Sequence, residues 1–181
     1  MLRHALPIFF VCLAACGDAD ENRLSQDFAV VKGALAWTCE APDFARVVVT
    51  DEPREYRHYA MPRDWENAAD YSAGFKRHSA ESARWPLGEI CANARVVTQE
   101  AIEAEFAKDP RVPPGWEGFH ATFEAEGFKG YSRPAYSRDG RRAALHIDNH
   151  CGPLCGMGLL VELELTTEGW KVVSAAGTWI S

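Results

Sequence analysis

The chain reads as an α+β domain, with helices first and strands last. Three observations predict this. Leu24, Phe28, Val31 and Leu35 recur at helical spacing near the start of the domain. Val161-Glu162-Leu163-Glu164-Leu165 alternates at the period of a strand. Turn-forming pairs, Asp139-Gly140 and Glu168-Gly169, punctuate the last third. Segregated helices and strands favour helices packed on an antiparallel sheet, here a meander of about four strands.

The elements follow in order. Leu24 to Trp37 predicts a helix, with Val30 and Ala34 widening its apolar face and Gly33 weakening it by about 1 kcal/mol against alanine. Arg46 to Thr50 is β-branched and stops at Asp51-Glu52-Pro53, as a short strand does. Asp64 can cap a second helix, which puts Trp65, Ala68, Ser72, Phe75 and Ser79 on one face and ends near Arg84, before Pro86. Ala94 to Thr98 reads as a strand. Thr98 then caps a helix from Gln99 to Lys108, with Ile102 and Phe106 inward. Three prolines and Gly115 make Arg111 to Gly118 a loop, pinned to the core by Trp116, Phe119 and Phe123. Four strands close the chain: Phe128 to Tyr136, with Pro134 marking an edge or bulge, Arg142 to His150, Met157 to Leu165, and Trp170 to Ala175.

Ahead of the domain, Arg3 precedes an apolar run from Ala5 to Ala15, far short of the roughly 20 residues a membrane-spanning helix needs. A charged start, an apolar middle and small residues at the end have the layout of a secretory signal. Leu13-Ala14-Ala15-Cys16 resembles the bacterial lipobox. That resemblance implies cleavage after residue 15 and a lipid on Cys16, with 16–23 as a polar tether and 24–181 as one domain. Gly17, in place of an inner-membrane retention aspartate, implies the periplasmic side of the outer membrane. The compartment is oxidising, so disulfides persist there. The formal charge of -7 argues against a nucleic-acid partner. The expected partners are the membrane, through the lipid, and an unidentified envelope protein or small ligand.

The C-terminal part, about residues 111 to 181, resembles an uncharacterised domain of bacterial secreted proteins and lipoproteins. Gly115-Trp116-Glu117-Gly118-Phe119, Tyr131-Ser132-Arg133-Pro134, Cys151-Gly152-Pro153-Leu154-Cys155-Gly156, Gly169-Trp170-Lys171-Val172-Val173 and Trp179-Ile180-Ser181 carry the likeness. It implies a shared fold and no particular activity. The order of helices before a sheet, ending in a Gly-Trp strand, also resembles the cone-shaped NTF2-like domains. That likeness implies a pocket between sheet and helices.

With Cys16 lipidated, Cys39, Cys91, Cys151 and Cys155 remain. Four cysteines allow three pairings. Gly152-Pro153-Leu154 turns easily enough to join Cys151 to Cys155, which leaves Cys39 for Cys91. Three residues between Cys151 and Cys155, with no helix following, do not suit a redox dithiol. The same stretch places His146, Asp148 and His150 on one strand face. They are candidate zinc or copper ligands. The simpler reading makes this a solvated polar face, since Leu145 and Ile147 belong inside. No Gly-x-Ser-x-Gly elbow, His-Glu-x-x-His or phosphate-binding glycine loop is present, and no catalytic residue stands out. The expected function is a non-enzymatic, lipid-anchored binding or interaction module. The alternatives are a zinc- or copper-binding envelope protein and a pocket enzyme of NTF2-like shape.

Overall fold

The computed structural model describes residues 15–40, 46–56, 59–78, 83–108 and 115–181. Its centre is an eight-stranded mixed sheet. The strands are β1 (Val47–Thr50), β2 (Gly88–Cys91), β3 (Ala94–Val97), β4 (Gly127–Tyr131), β5 (Ala135–Tyr136), β6 (Arg142–Gly152), β7 (Cys155–Thr166) and β8 (Gly169–Ile180). Their order is β2-β3-β1-β4-β6-β7-β8, with β5 also on β6. The path β4-β6-β7-β8 is the expected antiparallel meander. The sheet does not stop there: β1 runs parallel to both β3 and β4 and joins a second hairpin, β2-β3, to it.

Helices cover both faces. On one lies α1 (Ala15–Ala34), followed by the short α2 (Ala36–Glu40). Val30, Val31, Ala34 and Leu35 pack with Trp85, Leu145, Ile147, Val161 and Leu163. Gly33 lies close against β8: a Cβ there would come 2.6 Å from Trp170 Cβ, so the residue that weakens the helix permits this close approach. The polar segment 16–23, expected as a tether, is helical and continuous with α1. A buried ion pair fixes the helix. Arg133 donates from Nε and Nη2 to Asp27 Oδ2 at 2.8 and 2.6 Å, and the Tyr136 hydroxyl donates to Oδ1 at 2.9 Å.

On the other face lie α3 (Ala68–His78), α4 (Gln99–Ala107) and α5 (Trp116–Phe123). Tyr71 and Phe75 of α3 pack with Trp65, Ala144 and Leu160. Ile102 of α4 and Phe119 and Phe123 of α5 pack on Val48 and Phe128. The Thr98 hydroxyl caps α4 by accepting from Ala101 N at 3.1 Å, as predicted.

Three readings need correcting. Helix α3 starts at Ala68, with Asp64 and Trp65 before it, and runs to His78; Ala83 and Arg84 are not helical, and 79–82, with Ser79, lie outside the described residues. The expected loop through Gly118 becomes α5 at Trp116, because Gly115 takes φ 48° and turns the chain into the helix. Strand β8 runs to Ile180 rather than ending at Ala175. Cys39 is bonded to Cys91 and Cys151 to Cys155, with Cα separations of 5.7 and 5.0 Å. The first ties α2 to β2; the second staples the β6–β7 hairpin.

Candidate functional site

A sheet covered on both faces offers two places for a ligand, and β6 contributes to each. Its odd residues Ile147, Asn149 and Cys151 face α1; its even residues His146, Asp148 and His150 face the side of α3 and α5.

The even face is not solvated where it was expected to be. His146 is 1 % exposed, because the Tyr59 ring stacks on its imidazole at 4.8 Å and the Tyr56 ring meets it edge-on at 6.2 Å. Its Nε2 lies 2.9 Å from Thr178 Oγ1, and its Nδ1 lies 3.7 Å from Asp148 Oδ1. Asp148 accepts from the indole N–H of Trp179 at 2.8 Å. His150 stacks on Phe128, its partner across β4–β6, at 4.8 Å, with Trp179 at 5.5 Å.

A bulge builds this cluster. Gly158 pairs with Trp179 but Leu159 pairs with Gly177, so Thr178 is one residue too many on β8. The extra residue breaks the alternation and turns Thr178 and Trp179 to the same face. Burial holds the His146 and His150 imidazoles below the ordinary histidine value, with the Asp148 carboxylate opposing it in both. Open to solvent beside them is a cleft of about 660 Å³, lined by Tyr59, Phe128, His150 and Trp179 and by Arg54, Glu55 and Asp148.

As metal ligands these residues are poorly arranged. His146 Nε2 is engaged by Thr178 and Asp148 Oδ1 by Trp179, while Cys151, which lines the cavity on the other face, is joined to Cys155 in a disulfide. Among the described residues no group of three or more His, Cys, Asp or Glu side chains is placed to hold a metal ion.

The odd face holds a cavity of about 550 Å³. Ala34 of α1, Val47, Ile147, Leu159, Val161, Val172 and Ala175 make an apolar wall, and Lys129, Asn149 and Glu126 also line it. Lys129 and Asn149 sit opposite one another across β4–β6, which gathers polar groups at one end. Burial lowers the pKa of the Lys129 ammonium. Periodicity placed Ile147, Val161 and Ala34 in the core, but the space between them depends on how α1 packs on strands distant from it in sequence.

The fold and its sites define an α+β domain with an apolar cavity on one sheet face and an aromatic-lined, carboxylate-bearing cleft on the other. No family model matches the chain, and neither the curated proteins nor the solved structures contain a match to it.

Proposed function

We propose that this protein is a non-enzymatic binding module, held on the periplasmic side of the outer membrane by a lipid on Cys16, whose ligand is an acyl-chain amphiphile in the cavity beneath α1. The cavity is the observation that carries the reading. Apolar surface left in water forfeits about 25 cal/mol per Å² that a ligand chain would recover. Leu159, Val161 and Val172 would receive the chain. Lys129 and Asn149, paired across β4–β6, would receive a polar head. A lipid anchor would set the domain beside a source of such molecules. The pocket-enzyme alternative takes the same cavity and differs in one respect, since a bound amphiphile recovered unchanged speaks for binding alone.

Calorimetric titration of the chain from Cys16 onward with dodecanoate tests the reading. Saturable one-to-one binding is expected, abolished by Leu159→Trp, which fills the cavity, in protein that keeps its parent's Tm. Absent binding, or binding unchanged in that variant, refutes it.

A further inference from the structure

The cleft on the opposite face has chemistry unlike the apolar cavity, and we propose that it binds a saccharide whose ring stacks on Trp179. The platform is the first argument. A Cβ at Gly156 would lie 2.9 Å from Trp179 Cζ3, and one at Gly158 only 2.1 Å from its Nε1. The two glycines clear a floor on which the indole lies flat. The hydrogen bond from Nε1 to Asp148, at 2.8 Å, fixes the ring's orientation. Trp179 remains partly exposed on the cleft, with Tyr59 as a second aromatic wall. The C–H face of a pyranose carries slight positive charge, complementary to the negative face of an indole.

Charge is the second argument. Arg54 lines the cleft beside two carboxylates, Glu55 and Asp148. An anionic ligand would face both acids, and a quaternary ammonium would face the guanidinium. An acyl chain would leave all three without a use. A neutral polyol, each of whose hydroxyls both donates and accepts, uses the guanidinium and the carboxylates together. Arg54 is held for this purpose: its stem lies across Gly130, where a Cβ would come within 2.4 Å of Arg54 Cγ, and its Nη2 donates to Gln99 Oε1 at 3.1 Å.

Saturation-transfer NMR with maltose, cellobiose and chitobiose tests the site. Transfer from aromatic protons to at least one disaccharide is expected. Trp179→Leu, and separately Tyr59→Leu at the cleft wall, should each weaken that binding about tenfold, roughly the worth of one stacked ring. Should Trp179→Leu fail to fold, Tyr59→Leu decides. Leu159→Trp should leave the sugar bound while removing dodecanoate, which separates this site from the cavity. Co-sedimentation with purified cell-wall sacculi identifies the source: retention assigns a polymeric glycan, and disaccharide binding without retention assigns a free sugar. No transfer from any disaccharide, or equal affinity in folded Tyr59→Leu and Trp179→Leu, overturns the proposal. So does preferential binding of phosphate or tetramethylammonium.

Discussion

His146 shows what alternation along a strand reveals and what it conceals. The pattern correctly placed His146, Asp148 and His150 on one face and Leu145 and Ile147 on the other. It could not show that Tyr59, distant in sequence, would cover His146. An unfolded chain protonates these imidazoles more readily than the folded one, since burial lowers the folded values of His146 and His150 below 6.5. Their stabilising contribution is therefore complete above the ordinary histidine value and is lost as pH falls through the lowered folded values. Denaturant midpoints measured down an acid series should drop in that window. His146→Gln should flatten the drop, and an equally steep drop in that variant would assign it to other groups. Gly158 supplies a second prediction at this scale. Gly158→Ala places a methyl against Trp179 Nε1 and Thr178 Oγ1. It should cost about 1–3 kcal/mol by overpacking, read from urea unfolding. No local signal marks Gly158, because the ring it accommodates arrives from another strand.

Among the elements, those with strong periodicity or a clear cap were legible. Helix α4, the start of β3 and the β6–β7–β8 meander lie where the sequence puts them. Strand β2 is four residues long, two exposed and then two half-buried, so it has no alternation to read, and Ala92-Asn93 turns the chain from it onto β3. Helix α5 was hidden by the glycine and prolines before it, although the aromatic contacts expected of Trp116, Phe119 and Phe123 are made. The attachment of α1 rests on a pair no sequence pattern announces. Asp27→Ala removes the carboxylate that Arg133 and Tyr136 share in the interior. Breaking a buried pair of this kind should cost about 3 kcal/mol, measurable as a lowered urea midpoint with unchanged m. The disulfides should differ in the same assay. Cys39–Cys91 spans 52 residues and Cys151–Cys155 only 4, so loop-closure entropy gives about 4 kcal/mol for the first and about 2 for the second. Paired serine substitutions should follow that order, and a reversal would show that hairpin geometry, not chain entropy, dominates.

At the scale of the whole molecule, the sequence separated helices from strands but could not order the sheet. Val47-Val48-Val49 reads as a strand wherever it pairs. Its insertion between β3 and β4, parallel to both, follows from long-range packing of α1 on one face and α4 and α5 on the other. That insertion brings Val47 of β1 to the wall of the cavity that Ala34 of α1 also lines. The proposed anchoring also belongs here: in a bacterial host, labelled palmitate should enter the protein and be lost with Cys16→Ala, whereas labelling that survives would exclude Cys16 as the lipid site. The most direct measurement is a methyl NMR titration with dodecanoate. Ligand in the cavity should shift Ala34, Ile147, Leu159, Val161 and Val172 together, saturating with one midpoint. Unmoved methyls there, with shifts confined to residues around Trp179 and Tyr59, would contradict a binding site beneath α1.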